Sequence, residues 1–355
     1  MKWFKSNCFD KSKIITKDNN ITAEKQFALD AIQNNPDVEG SLAQRLASVS
    51  DEVTQQINSQ IATINTLIQG LNTSITTANE NIALLNVNKL DKSFIAPCAA
   101  AHNGYWGGRN LTNIYTVDEI CRRIANGTFE DLYIGDYFDI TISTEYTTSE
   151  VVRCILAHFD YYWMTGDTAF TKHHAVIVPK NCFTATAKMN ETNTTEGGYQ
   201  YSNMRQVIIP VYFTAIMKVL GNHLILYRDL ITKDINATTP SMAGAGLTGA
   251  SSDWMWSDVY SELMSEIQVY GSKVWSSSGY DTGIANGQLA LFQHNPTALV
   301  CKLGGTDDVT ASNRMWWWLK DVACSAYFAD VSGHGHANYT SASGAGGVRP
   351  LFCIG

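Results

Sequence analysis

Apolar positions in the first part of this 355-residue chain recur in steps of three and four, from Leu42 to Leu85. Between them stand Gln, Asn, Ser and Thr, with almost no charge. This spacing predicts one long amphipathic helix. The stripe consists of Leu42, Leu46, Val49, Val53, Ile57, Ile61, Ile64, Ile68, Leu71, Ile75, Ala78, Ile82 and Leu85.

A single helix this polar has no other apolar surface against which to bury the stripe. We therefore expect a coiled coil. Isoleucine dominates both seam positions of the C-terminal half, which favours three strands over two. The run from Val53 to Ile64 is a stutter that locally unwinds the supercoil. The alternative is a helix that packs on its own domain.

Elsewhere the pattern is mixed. Thr116 to Glu119 has the sequence of a capping box, and a short helix to Asn126 should follow, ended by Gly127. Residues 288–355 alternate between strands and long loops. Strands are predicted over Leu132–Ile142, Val151–Trp163 and Lys172–Pro179, and helices over Thr22–Gln33, Val207–Leu220 and Asp253–Tyr270.

Few helices beside short strands and long loops indicate an α+β fold. We expect an N-terminal trimeric coiled coil followed by a larger mixed domain. The expected divisions are an N-terminal segment over 1–40, a coiled-coil stalk over 41–90, a neck with a short helix over 91–130, and a C-terminal domain over 131–355.

Composition narrows the function. Charged residues make up 16% of the chain, below the ~25% usual for soluble domains, and the net charge is −8. An acidic chain without a basic stripe argues against nucleic acid as a partner. No apolar run reaches 18 residues, so no membrane insertion is expected. The eight cysteines form no C-x-x-C pair and indicate free thiols in a protein folded in a reducing cytoplasm.

Signs of enzyme chemistry are few. The nucleophile-elbow, metalloprotease and phosphate-loop motifs are absent. Asp136, Asp139 and Glu145 could pair for sugar hydrolysis, but their spacing does not fix their separation. His334 and His336 could meet at a threefold axis and hold a metal, yet carboxylates nearby are few. We therefore predict no catalytic residues, no cofactor and no metal.

The C-terminal forty residues carry the strongest functional signal. Aromatic and β-branched blocks, Arg314–Val322 and Val348–Gly355, flank a small and polar tract that cannot form a core. A rigid frame holding a loop rich in Tyr, Ser, Gly and Asn is typical of a recognition surface. The candidate receptor-binding residues are Tyr327, Asp330, Ser332, His334, His336, Asn338, Tyr339, Thr340 and Ser341.

This frame, W-x-W-L-[KR]-x-V followed by A-S-x-x-x-G-V-R-P, resembles the end of C-type-lectin-like domains in bacteriophage receptor-binding proteins, including retroelement-diversified ones. The segments Lys172–Val176 and Met189–Tyr199 also look like this family. The Glu-Pro-Asn motif of calcium-dependent sugar binding is absent. The matching residues are Trp316, Trp318, Leu319, Lys320, Val322, Ala342, Ser343, Gly347, Val348, Arg349 and Pro350.

The resemblance implies a C-type-lectin-like domain whose last strand, Leu351–Ile354, lies in the core sheet. Arg349 is then a buried, paired guanidinium, and Pro350 fixes φ where the strand begins. We expect two of the three residues Trp316, Trp317 and Trp318 to lie in the core.

The expected function is a homotrimeric phage fibre or spike that binds a bacterial surface receptor, either a glycan or a protein. Its N-terminus would attach to other virion proteins. The fibre would be part of the virion, assembled in the host cytoplasm. The alternatives are a structural head or tail decoration without a receptor, and a depolymerase of surface polysaccharide.

Overall fold

The structure, a computed structural model, describes residues 42–88, 98–235, 251–276 and 284–355 together with Lys25. The chain divides into two compact units, Met1–Leu90 and Asp91–Gly355. Apart from Lys25, the helix expected over Thr22–Gln33 lies outside the described residues.

The first unit contains helix α1, Leu42–Asn88, which confirms the predicted long helix. From Leu46 to Ile82 the large side chains of its apolar stripe are exposed in the single chain; Ile61, for example, is 50% exposed. The polar face satisfies its own hydroxyls, because these donate to the carbonyl oxygen four residues earlier. The residues that do so are Thr54, Thr63, Thr66, Thr73, Ser74, Thr76 and Thr77.

The second unit combines short helices with antiparallel sheets, so the α+β class is confirmed. Its helices are α2 Ala99–Asn103, α3 Val117–Ala125, α4 Ile209–Leu220, α5 Glu266–Tyr270 and α6 Ala290–His294. Its strands are β1 Tyr137–Ile142, β2 Glu150–Phe159, β3 Ala175–Pro179, β4 Thr186–Ala187, β5 Leu224–Ile225, β6 Tyr227–Ile235, β7 Ser251–Val259, β8 Ser261–Leu263, β9 Trp317–Cys324, β10 Tyr327–Val331, β11 Ala337–Ser341, β12 Gly346–Gly347 and β13 Pro350–Ile354.

One sheet has the order β1-β2-β3-β13-β5, and β8 pairs with the first half of β13. Every residue of β3 and β13 is buried, which explains why both read as continuous apolar runs. The last strand therefore lies inside a sheet, as predicted for Leu351–Ile354.

A second sheet has the order β11-β10-β9-β12-β4. Strand β12 runs parallel to β9, and the other pairs are antiparallel. Lys320 of β9 is buried between Asp229 of β6 and Glu262 of β8, with its Nζ 2.8 Å from Glu262 Oε1. Burial raises the pKa of Glu262 to about 8, against the opposing effect of the Lys320 charge. Lys320 therefore links β9 to strands of two other sheets, β6 and β8.

The helix predicted over Asp253–Tyr270 is wrong for most of its length. Strand β7 pairs with β6 in an antiparallel hairpin, β8 follows, and only α5 is helical. Helix α5 begins at a capping box formed by Ser265 and Gln268 and ends at Gly271, whose φ of 76° suits glycine. The end of the predicted helix is therefore correct and its beginning is not.

Shorter predictions hold with trimmed ends. Thr116 caps α3 by accepting from the Glu119 amide, but the Glu119 carboxylate pairs with Arg122 and Arg123 instead of closing the capping box. Strand β2 stops at Phe159, before the predicted Trp163, because Asp160 adopts a φ of 56° and starts a turn. The predicted helix Val207–Leu220 is confirmed as α4, preceded by a π-helical turn from Met204.

Among the described residues, the helical stretch Met204–His223 is long and apolar enough to cross a membrane. In the second unit one face of this stretch packs into the apolar interior through Tyr212, Ile216 and Leu220, whereas Val207, Met217 and Val219 are exposed. The described cysteines are free thiols, and all except Cys98 are buried.

Candidate functional site

A hairpin made by β10 and β11 carries the candidate surface. The strands pair in register from Tyr327 opposite Ser341 to Val331 opposite Ala337. At the turn, the Ser332 amide donates to the His336 carbonyl at 2.9 Å, and the Gly335 amide donates to Ser332 at 2.9 Å. Gly335 has a φ of 87°, which a side chain would resist. The hairpin therefore has a defined turn.

The predicted residues all lie on this hairpin and its turn, with different access to solvent. His334 and His336 are exposed, whereas Asp330 is fully buried. The Ser332 hydroxyl lies 3.0 Å from His336 Nδ1 and accepts from the His334 amide. We call the solvent-accessible set the tip surface: Tyr327, Ser332, His334, His336, Asn338, Tyr339, Thr340 and Ser341.

Asp330 is the predicted contact residue that the structure places differently. It lies beneath the tip surface, where Asn338 Nδ2 donates to its Oδ1 at 3.3 Å. Burial raises the pKa of Asp330 to about 6, although the hydrogen bonds from Thr340 and Asn338 oppose the shift. Asp330 therefore holds the side chains of Asn338 and Thr340 and is not itself exposed to solvent.

The aromatic residues of the tip surface are held in place by neighbouring rings. Tyr339 makes edge contacts with Tyr327 at 5.4 Å and with Trp275 at 4.6 Å between ring centroids. Rings fixed in this way lose little conformational entropy when a partner binds. Trp275 was missed from the sequence, because no motif links it to a strand more than 60 residues away.

Beside the hairpin in the same sheet, β9 provides the aromatic frame. Trp317 and Trp318 are fully buried, and Trp316 is partly buried against Trp318 at 4.8 Å, so the predicted division is confirmed. The Trp317 indole donates to the Leu299 carbonyl at 3.0 Å, and that of Trp318 donates to Ala187 at 2.8 Å. These bonds fix the rings against backbone on both sides.

Arg349 is buried and hydrogen-bonded, as predicted. Its Nε donates to the Pro179 carbonyl at 2.8 Å, its Nη1 donates to the Ala298 carbonyl at 2.7 Å, and its Cζ lies 5.0 Å from the Trp317 ring centroid. Burial lowers the pKa of this guanidinium. Its partners are carbonyl oxygens and a ring, so the cation has no paired carboxylate among the described residues.

The candidate acids for sugar hydrolysis are held by arginines. Asp136 is buried, with its Oδ2 2.7 Å from Arg109 Nη2, and Asp139 lies 2.9 Å from Arg153. Each of these two carboxylates therefore has an arginine as its partner. Glu145 is in neither ion pair.

The histidine pair His173 and His174 divides between surface and core. His174 is fully buried and His173 is 34% exposed, and both lie near the Asp160 carboxylate. Within the described ranges, no group of three or more His, Cys, Asp or Glu side chains is arranged to hold a metal ion.

Comparison with known proteins places the chain in a family defined by sequence. Residues 173–355, which are more than half of the chain, match the family described as Domain of unknown function (DUF6273). The chain belongs to the DUF6273 family. No curated protein and no solved structure matches the chain. The matched range runs from just before β3 to the end of β13, so it contains the tip surface and its frame.

Proposed function

We propose that this protein is a homotrimeric phage fibre or spike that binds a receptor on the bacterial surface through the tip surface. The proposal rests on two features that occur together in this chain. The first unit is a long helix with an unpartnered apolar stripe, and the second unit displays a stiff, uncharged polar and aromatic hairpin.

The stripe supports assembly. Its large side chains are 48–63% exposed in the single chain, from Leu46 to Ile82. A surface of this length with regular spacing is typical of a helix that packs against copies of itself. Isoleucine at both seam positions favours a trimer. In this proposal α1 is the stalk, and residues 1–40 attach it to other virion proteins.

The hairpin supports recognition without catalysis. Its accessible groups are hydroxyls, an amide, imidazoles and fixed tyrosine rings, which suit hydrogen bonding and stacking to a glycan or a protein surface. Three copies on one trimer would bind a repetitive cell surface with an avidity well above that of a single site.

We also propose that the second unit is a C-type-lectin-like domain. The residues that resemble that family occupy the structural positions that the resemblance implies. Trp317, Trp318 and Arg349 are buried, and β13 lies inside a sheet. The buried free thiols fit assembly in the host cytoplasm before incorporation into the virion.

The test compares two double variants with matched chemistry. His336→Ala with Tyr339→Ala removes one imidazole and one phenol from the tip surface. His223→Ala with Tyr201→Ala removes the same groups from elsewhere in the second unit, where Tyr201 is 59% exposed. We expect the tip variant to lose at least tenfold in adsorption to host cells, and the control variant to adsorb like the wild type. Circular dichroism and trimer mass should match in all three proteins.

Normal adsorption by the tip variant would contradict the proposed site. Normal adsorption by particles that lack the whole protein would instead favour a structural decoration. Release of reducing sugar from host envelopes by the wild-type protein would favour the depolymerase alternative.

A further inference from the structure

A cleft of about 440 Å³ lies beside the turn that carries the tip surface. Its walls include Lys180, Asn181, Thr297, Val300, Arg314 and Arg349. Gly333 and Gly335 of that turn lie close to two residues that line the cleft, Arg314 and Val300. A Cβ added at Gly333 would lie 3.6 Å from Arg314 Cβ, and one added at Gly335 would lie 3.4 Å from Val300 Cγ2. A ligand on the tip surface could therefore extend into this cleft.

The charges of the cleft are unbalanced. Among the described residues that line it, Lys180, Arg314 and Arg349 are cations and Asp308 is an acid. Lys180 Nζ bonds Asp308 Oδ1 at 2.6 Å and the Thr306 carbonyl at 2.9 Å. Arg314 is exposed and forms no ion pair with any described residue. The cleft is therefore a positive site in a chain whose net charge is −8.

Arg349 adds a buried donor that lacks an acceptor. Its Nε and Nη1 donate to carbonyl oxygens, but Nη2 is buried without a hydrogen-bond partner among the described residues. Leaving a charged donor buried and unsatisfied is costly, and an anion nearby would reduce the cost through its field. The side chain itself is 0% exposed, so direct contacts to a ligand would come from Lys180 and Arg314.

Asp308 shows how an anion can be held here. Its side chain is 94% exposed, yet its carboxylate is drawn to Lys180, which lowers the pKa of Asp308. An exposed carboxylate in such a pair is weakly held, because solvent screens surface ion pairs. An incoming oxyanion could take its place at Lys180.

We propose that this cleft binds a carboxylate or phosphate group of an acidic surface polysaccharide. The inference rests on the proposed receptor-binding function and names the chemical class of the receptor. The volume suits about one sugar residue with its anionic substituent. Lys180 and Arg314 would contact the anion, and Arg349 would stabilise it from beneath.

The experiment is calorimetric titration of the intact protein at low salt with trigalacturonate, inorganic phosphate and neutral maltotriose. The cleft variant is Lys180→Gln with Arg314→Gln, and its control is Lys188→Gln with Arg122→Gln, which removes the same charges from solvent-exposed pairs elsewhere. We expect the cleft variant to bind an anionic probe at least tenfold more weakly, and the control to bind as the wild type does.

Asp308→Asn gives a test of opposite sign. It removes the acid that competes for Lys180, so an anionic probe should bind severalfold more tightly. Affinity for trigalacturonate alone would assign a carboxylated polymer, and affinity for phosphate alone a phosphate-bearing one; either supports the cleft. Equal affinity in the wild type and the cleft variant, or maltotriose binding as tightly as the anions, would overturn the inference.

Cell adsorption separates this inference from the proposed function. If the tip variant fails to adsorb while the cleft variant adsorbs and titrates normally, the fibre function stands and the anion cleft is wrong. If the wild-type protein binds an anionic probe through the cleft but particles lacking the protein adsorb normally, the cleft stands and the receptor role is wrong.

Discussion

Replacing Ile64 and Ile68 together with aspartate should convert the proposed trimer into a monomer. The two side chains lie four residues apart on the apolar stripe of α1, and they are 53% and 48% exposed in the single chain. In a coiled coil both would occupy the seam, where a carboxylate must give up its water without gaining a partner.

The magnitude follows from the exposed fraction. Full burial of an isoleucine side chain contributes about 1.5–3 kcal/mol, so burying the exposed half contributes roughly 0.8–1.5 kcal/mol. Six such side chains in a trimer then contribute roughly 5–9 kcal/mol, before any cost of burying charge. Because about 1.4 kcal/mol corresponds to a tenfold change in an equilibrium constant, dissociation should become easier by at least ~10³-fold.

Sedimentation equilibrium measures this directly. The wild type should give a mass of about three times 39.1 kDa, and the variant the mass of a single chain. The matched control is Ala62→Asp with Thr66→Asp, which adds the same charges at the same spacing on the opposite side of the helix. A wild-type monomer, or a seam variant that keeps the trimer mass, would refute the reasoning.

Three further predictions concern the second unit. Arg349→Ala should lower the free energy of unfolding by ~3 kcal/mol or more, measured by urea titration of Trp fluorescence, because it orphans the Pro179 and Ala298 carbonyls; a loss below ~1 kcal/mol would contradict this. Asp330→Asn should flatten the pH dependence of stability between pH 4 and pH 6. The native wild type keeps a proton with a pKa of about 6 that the unfolded chain releases near 3.9, so its stability should fall by up to ~3 kcal/mol as pH rises through this range, and an unchanged slope in the variant would contradict the assignment. Chelator treatment should leave trimer mass and cell binding unchanged; stoichiometric metal that is lost with His336→Ala would overturn this prediction.

The sequence predicted best the elements whose partners are local or whose pattern is long. Helix α1 repeats its spacing over twelve turns, so its existence needed no tertiary information. The place of β13 inside a sheet was implied by the family resemblance, and burial on both faces explains its continuous apolar run. The buried position of Arg349, and the burial of two of the residues Trp316, Trp317 and Trp318, followed from the family resemblance.

The error at β7 has a physical reason. Apolar residues from Trp256 to Tyr270 match helical spacing, but the positions of β7 that face inward include Ser251 and Ser257. Ser257 tolerates burial because its hydroxyl donates a hydrogen bond to Gln200 Oε1 at 3.0 Å. A strand whose buried face is partly polar cannot be recognised from hydrophobic periodicity alone. Here the pairing with β6 makes this segment a strand and not a helix.

The early end of β2 is a second case in which a local interaction overrode the pattern. The aromatic residues Tyr161 to Trp163 continue the alternation of the strand. Asp160 nevertheless turns the chain, and its carboxylate accepts from the His174 amide at 2.9 Å and from His173 Nδ1 at 2.8 Å. A favourable bond set of this kind outweighs propensity at a single residue.

The candidate site was likewise predictable from the sequence only in part. Composition pointed to the tract that carries the tip surface, but the tract is a paired hairpin and not a loop, and its Phe328 and Val331 belong to the core. Composition could not show that Asp330 is buried, since its environment depends on Asn338 and Thr340 across the hairpin. The cleft was equally hidden, because Lys180 and Arg349 are 169 positions apart in the sequence and meet only in the folded unit.

The residues that hold the second unit together are distinct from the exposed residues to which we assign receptor binding. The side chains of Trp317, Trp318 and Arg349 bond to backbone of β4, of the Pro296–Leu299 turn and of the end of β3, so changes there alter the fold. His334 and His336 are exposed, and their imidazoles make few bonds to the frame. Substitutions of His334 and His336 should therefore cost little stability, because they neither open a cavity nor orphan a buried group. A surface with this property can change its partner without losing its fold, which is the physical condition that a diversified receptor-binding loop must meet.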